Sequence, residues 1–281
     1  VANDLDPVSF SRSIRRLVLE QSKRANVGHI GSALCIADIL AVLYCGGLSV
    51  SAKDPRAADR DRFILSKGHA ALGLYAALFL SGFVTREQLE TFCGDLSRLG
   101  VHPERALPGV DFCSGSLGQG LSLAVGAALA ARMQGSKRRI FCLLSDAECE
   151  EGSVWEAIMF AAHHGLGNLT AIVDQNGQQA FGATRDILRQ ENLAERWRAF
   201  GWKTLEVDGH DHAALRRGLA ACSDGPTVLV ANTVFAKGVS FMETGHSPSR
   251  PDVAPHRINW HYLPMSDQEY EAALRELGSS T

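Results

Sequence analysis

The stretch from Ile140 to Gln179 restricts the fold more than any other part of the chain. It reads IFCLLSDAECEEG, then SVWEAIMFAAHHGLGN, then LTAIVDQNGQQ. An apolar run stops at an acidic turn, a helix-like run follows, and a second apolar run stops at a polar turn. That order spells a strand–helix–strand unit with parallel strands. Open parallel sheets hold ligands where their strands end. Asp146 closes the first run and Asn176 the second, thirty positions on. In a parallel pair these two ends sit side by side. A carboxylate and an amide oxygen converging there suit a hard, octahedral cation such as Mg²⁺, which usually keeps a phosphate in its shell.

The rest of the chain repeats the alternation. Ser9 to Ala25 has helical periodicity, with Ile14, Leu17, Val18 and Gln21 on one side. Gly28 and Gly31 bracket His29 and let the backbone approach a ligand closely. Asp61 to Ser66 reads as a short strand and runs into KGHAALGLYAALFLSGF, a helix opening with His69. Thr85 caps a short helix to Cys93. The glycine-rich SGSLGQG precedes a small-residue helix from Leu121 to Ala131. KTLEVDGHD and PTVLVANTV are further strands, with Asp211 capping the helix between them. Ser266 and Glu269 have capping-box spacing and open a closing helix. The expected fold is an α/β, doubly wound, mostly parallel sheet with helices on both faces, built as one domain over residues 1–281.

Composition narrows the function. Apolar residues make up 46% of 281, enough for a substantial core. The net charge of −3 gives no broad basic field for nucleic acid. No apolar run is read as reaching the roughly 18 residues of a membrane span, and the N-terminal segment lacks the apolar core of a signal peptide. Seven cysteines are scattered without a CxxC pair. Reduced core thiols in a cytoplasmic protein are the expectation.

The string SDAECEEG…WEA…NLTAIVDQN resembles the thiamine-diphosphate motif of transketolases, GDG followed about thirty residues later by N. Ser145 and Ala147 stand where that motif has glycine. The resemblance assigns the metal to Asp146, Asn176 and, through a backbone carbonyl, Gln178. ANVGHIG is similar to the family's histidine turn and carries His29. LSKGHA carries His69, and the HPE turn carries His102. GSLGQG is similar to the loop that meets the cofactor through Gly115 and Leu117. Glu151 and Glu156 match acids that link two cofactors across a subunit interface. AKGVSFMET puts Lys237 on the phosphate side. Trp260 and His261 follow after an inserted loop, residues 243–260, in which His246 and His256 are rival channel histidines.

What the resemblance implies is a transferase using thiamine diphosphate with Mg²⁺, or Ca²⁺ or Mn²⁺ in its place. Such an enzyme moves a two-carbon ketol unit from a ketose phosphate to an aldose. His29, His69, His102, His261 and Glu151 are the expected catalytic groups. His69, Gly115, Leu117, Asp146, Ala147, Glu151, Asn176 and Lys237 are the expected cofactor contacts. The matching region is only the diphosphate-binding part of a transketolase, so a separate C-terminal subunit is expected to complete the site, in an α₂β₂ assembly. Ala147 raises a further question, because its Cβ disfavours a positive φ that glycine accepts freely. The residues leave open another thiamine-dependent two-carbon transferase and a non-catalytic paralogue. A nucleotide-binding domain lacks its GxxxxGK[ST] and GxGxxG strings here.

Overall fold

The structure is a computed structural model and describes residues 6–221, 224–243 and 259–279. The helices are α1 (Pro7–Ala25), α2 (Ile30–Leu34), α3 (Ala37–Val42), α4 (Ala71–Leu80), α5 (Arg86–Leu89), α6 (Gln119–Met133), α7 (Gly152–His163), α8 (Thr184–Ile187), α9 (Leu193–Ala199), α10 (His212–Leu219), α11 (Asn259–Tyr262) and α12 (Asp267–Ser279). The strands are β1 (Arg62–Leu65), β2 (Ile140–Ser145), β3 (Leu169–Gln175), β4 (Gln178–Gln179), β5 (Gly182–Ala183), β6 (Lys203–Asp208) and β7 (Thr227–Asn232). The main sheet has the order β1-β2-β3-β7-β6, and every pairing in it is parallel. β4 and β5 form a small antiparallel ribbon.

Strand side chains alternate between faces, so a parallel sheet covered on both sides needs apolar residues at every position. β2 shows this directly. Phe141 and Leu143 join one core, while Ile140, Cys142 and Leu144 join the other. The first core packs α1 to α4, α10 and α12 on one face, and the second packs α6, α7 and α9 on the opposite face. The doubly wound architecture follows from that two-sided burial.

Local signals act where the sequence places them. Thr85 accepts from Gln88 N at 3.2 Å and Gln88 Oε1 accepts from Thr85 N at 2.9 Å, closing a capping box. Ser266 and Glu269 make the same reciprocal pair before α12. Asp211 accepts from Ala213 N and Ala214 N at the start of α10. The helix expected to open at His69 begins instead at Ala71; His69 lies in the 3₁₀ turn Gly68–Ala70 that precedes it.

One composition-based expectation needs correcting. Ile30–Gly47 is 18 residues long and apolar enough to cross a membrane, yet 83% of it is buried inside this fold. It is divided into α2, α3 and a π-type turn, and it carries Asp38 into a buried ionic cluster. It is a core segment here.

In that cluster Arg15 donates to both Asp38 oxygens, at 3.3 and 2.5 Å. His210 Nε2 accepts from Val234 N at 2.9 Å, so the ring proton sits on Nδ1 and goes to Asp38 at 2.8 Å. His212 Nε2 makes a fourth contact at 2.9 Å. His210, itself held by Asp208 through its N–H, thus marks the point where the segments before α10 and after β7 are fastened to α1 and α3. Burial alone would raise the Asp38 carboxyl, but the two histidines and Arg15 hold it far below the usual carboxylate range.

Asp38→Ala strands the buried Arg15 guanidinium and should cost about 3–5 kcal/mol in urea denaturation. Because the folded carboxyl is depressed, its contribution is complete above about pH 4 and is lost as pH falls. The wild-type and Asp38→Ala stability curves should therefore converge in acid.

Candidate functional site

The site forms at the carboxyl ends of β1, β2, β3 and β7. The β2–β3 register pairs Ser145 with Asp174, so Asp146 and Asn176 fall beside each other at the strand tips. Gly177 N links them, donating to Asp146 Oδ2 at 2.9 Å. Asp146 Oδ1 accepts from Ala147 N at 2.8 Å, and Oδ2 also accepts from Thr184 Oγ1 at 3.3 Å. Asn176 Oδ1 accepts from Gln178 N at 2.9 Å. Asp146, Asn176 and Gln178 are all buried.

The two departures from glycine are accommodated without strain. Ser145 ends β2, and Ala147 begins a 3₁₀ turn, Ala147–Glu150, with negative φ. The positive φ that would exclude alanine does not occur there. Ser145 Oγ accepts from Glu148 N at 3.1 Å, which the glycine of the motif cannot do.

Beneath Asn176 lies a fully buried ion pair that the sequence alone did not disclose. Lys67 Nζ is 2.5 Å from Asp174 Oδ2, with the two side chains 1% and 0% exposed. Asn176 Nδ2 donates to the same oxygen at 2.8 Å, and Cys35 Sγ donates to it at 3.1 Å. Thr233 Oγ1 donates to Asp174 Oδ1. Burial alone would neutralise Lys67, but Asp174 keeps it protonated. Lys67 in turn holds Asp174 below its ordinary range against the penalty of burial. Asp174 is the next-to-last residue of β3, LTAIVDQ, and from sequence alone reads as a loop acid; once the register buries it, its charge must be paired.

The pair cancels its own charge, and Asp146 makes no ion pair among the described residues. Burial first, then the neighbouring Asp174 carboxylate, pushes the Asp146 carboxyl up to about 7. A buried acid of that kind gains most from an added cation. Among the described residues no three His, Cys, Asp or Glu side chains form a metal cage. One carboxylate with an amide oxygen fits instead an ion that keeps phosphate and water in its shell.

The glycine-rich loop approaches the β1 tip more closely than any side chain allows. A Cβ at Gly68 would lie 2.8 Å from Gly115 N, and one at Gly120 would lie 2.2 Å from Ser66 Oγ. Buried Glu148 joins the three segments. It accepts from Ser66 Oγ at 2.5 Å, Gly118 N at 2.8 Å and Ser145 N at 3.3 Å. Sequence reasoning missed this inward glutamate too. The glutamates singled out from sequence, Glu151 and Glu156, are exposed on this chain. Glu151 precedes α7 beside Gly118 of the glycine loop and faces outward on the single chain, whereas Glu148 turns in. Leu117 is 37% exposed.

Three histidines come together as expected. The ring centroids of His29, His69 and His261 lie 5.4–5.9 Å apart. His29 has a left-handed φ of 60°, and its N–H donates to His261 O at 3.2 Å. Phe235 stacks on His261 at an 11° interplanar angle. His102 is exposed, with its ring 3.2 Å from where a Gly115 Cβ would stand. Nδ1 of His29 and Nδ1 of His261 are buried without a partner, which is the mark of a site built to receive polar atoms. Lys237 turns elsewhere. Its ammonium is 3.6 Å from Glu243, its carbonyl accepts from Arg15 Nε at 2.8 Å, and none of its described contacts reaches Asp146 or Asn176. His246 and His256, with nearly all of the inserted loop, lie outside the described residues.

A parallel sheet with an acid and an amide at adjacent strand tips, closed by a glycine loop and three histidines, fits the diphosphate-cofactor domain that the sequence resemblance implies. The transketolase thiamine-diphosphate-binding-domain family matches residues 8–260. A 6-deoxy-6-sulfo-D-fructose transketolase subunit from a Clostridium species is 37% identical, over 94% of this chain and 93% of its own length. An apulose-4-phosphate transketolase subunit from Phocaeicola vulgatus is 36% identical over 95% and 92%. The crystal structure of Campylobacter jejuni transketolase superposes with a TM-score of 0.88 at 32% identity, covering 98% of this chain but 43% of that one. The chain belongs to the transketolase family, as its thiamine-diphosphate-binding part, and spans less than half the length of the solved transketolases.

The buried charges and rings set measurable expectations. Lys67→Met leaves Asp174 unpaired and should cost about 3–5 kcal/mol, whereas Lys67→Met with Asp174→Leu should recover most of that loss in urea denaturation. Burial, then His29 and Lys67, pushes His261 down to about 4, and burial also lowers His29 and His69. At these rings the unfolded chain binds more protons in between, so their contribution to stability is full above about pH 6.5 and falls toward pH 4, against the opposite contribution of the raised Asp146 carboxyl. His261→Gln should flatten that slope in denaturation midpoints measured across the window.

Proposed function

We propose that this chain is the N-terminal subunit of a two-subunit transketolase that moves a two-carbon ketol unit from a ketose to an aldehyde acceptor. The observation that carries it is the buried Asp146 beside Asn176, an oxygen pair without a protein cation, in a chain matching transketolase subunits over 92–93% of their length. The Asp146 carboxylate and the Asn176 amide oxygen would hold the divalent ion, preferably Mg²⁺, with the Gln178 backbone as a third donor. Thiamine diphosphate supplies the carbanion chemistry when bound.

The chain's own residues then have defined tasks. Gly115, Leu117 and Ala147 present backbone to the cofactor, while Glu148 fixes the loop and the turn that carry them. His29, His69 and His261 are driven toward neutral imidazole by burial. Each then has one donating and one accepting nitrogen for substrate hydroxyls, and His102 stands at the mouth. Buried Phe235 and half-exposed Tyr262 pack against these rings.

The remaining groups around the cofactor would come from a C-terminal partner subunit. Exposed Glu151 and Glu156 suit a contact between copies, which supports an α₂β₂ assembly. A reducing, cytoplasmic setting suits the six described free thiols. The relatives act on a sulfonated and a phosphorylated sugar, so an anionic ketose is the class of donor favoured here.

The purified chain should be inactive alone and active when mixed with its partner subunit in a ketol-transfer assay. Full turnover by the isolated chain would overturn the reading. Asp146→Ala should weaken calorimetric binding of thiamine diphosphate and Mg²⁺ to the complex beyond the 10–100-fold, roughly, that outer-shell changes cost. No saturable binding to the wild-type complex would favour a non-catalytic paralogue.

A further inference from the structure

Away from the histidine site, a cleft of about 760 Å³ opens between the loop before β1, the loop 105–112 and the segment leading into β2. Its charged lining is Arg56, Arg60, Arg62, Arg105 and Arg138 against a single acid, Asp111. Five guanidiniums face one carboxylate, a local excess of four positive charges in a chain whose net charge is −3.

The arginines divide into two kinds. Arg60 is spent on structure: it pairs with Asp111 at 3.0 and 2.6 Å and donates to the carbonyls of Pro55 and Asp61. Arg62 adds a 3.4 Å contact to Asp111, and Arg138 is held by Ala58 O and Gln134. These three set a rigid cationic floor. Arg56 and Arg105 are exposed, and no hydrogen bond or ion pair of their guanidiniums occurs among the described residues. They come from different segments, Arg56 from the loop before β1 and Arg105 from the loop 105–112. Leu107, Pro108 and Phe112 supply an apolar side to the same cleft.

We propose that this cleft binds an organic polyphosphate, with Arg56 and Arg105 clamping the phosphates over the fixed arginine floor and the Leu107–Phe112 wall taking the organic body. The guanidinium fork matches phosphate oxygens two at a time. Several unspent charges call for several anionic groups. The volume falls within the range of pockets that enclose whole small molecules rather than one ion. The loop 105–112 runs directly between His102 and Gly115, so the ligand would lie against the segment that carries both.

The test is calorimetry on the full chain at low ionic strength in metal-free buffer, where a site that needs a divalent ion stays silent. Inorganic tripolyphosphate should bind saturably at one site, and binding should weaken steeply with added salt. ATP should bind at least as tightly, because it also reaches the apolar wall. Arg56→Gln with Arg105→Gln should weaken both probes at least about tenfold at an unchanged melting temperature, while Asp146→Ala should leave them unchanged. No saturable heat, equal binding by the double variant, or a matching loss in Asp146→Ala would overturn the proposal. So would ATP binding more weakly than tripolyphosphate. If the double variant instead loses assembly with the C-terminal subunit while neither probe binds, the cleft is a protein contact and the proposal fails.

Discussion

The ion pair between Lys67 and Asp174 is the interaction on which the site depends. It lies under the strand tips, out of water, and links the turn after β1 to β3. An unpaired charge at that depth is far too costly to persist. Each partner therefore fixes the other, and Asp174 in turn fixes the Asn176 amide through Nδ2. The amide oxygen is left for the other side. The buried pair thus balances its own charge, and Asp146 makes no ion pair among the described residues.

Glu148 plays the corresponding part on the other flank. Its two oxygens collect donors from the β1 turn, the glycine loop and the β2 turn. Three segments far apart in sequence are thereby held to one geometry. Burial raises this carboxyl, and three hydrogen bonds oppose that rise. Gly68, Gly115 and Gly120 make the approach possible, because a Cβ at Gly68 or Gly120 would collide with a neighbouring segment. The glycines and the glutamate are parts of one joint.

Much of this was legible in the residues themselves. Apolar runs ending in Asp146 and Asn176 gave the parallel pair, and capping residues gave helix starts at Thr85, Asp211 and Ser266. The convergence of His29, His69 and His261 rested on family order, since no local pattern brings residues so distant in the chain together. Lys67 and Asp174 were hidden because each looks ordinary alone. A lysine in a turn reads as solvated, and an aspartate at a strand end reads as a loop acid. Only the register of β3 on its neighbours shows that both face inward. Glu151 and Glu148 show the limit of letters alone, since two nearby acids of the same string face opposite ways, one out and one in.

The turn at Ser145–Ala147 has a consequence beyond this chain. Its backbone follows an ordinary 3₁₀ path, so the glycines common at these two positions are not a steric requirement here. What the turn provides is an Asp146 carboxylate held by the N–H groups of Ala147 and Gly177. A pattern keyed to letters would pass over chains of this kind, whereas one keyed to donor placement would retain them. In this chain the serine adds a hydrogen bond to the turn that a glycine at the same place could not make.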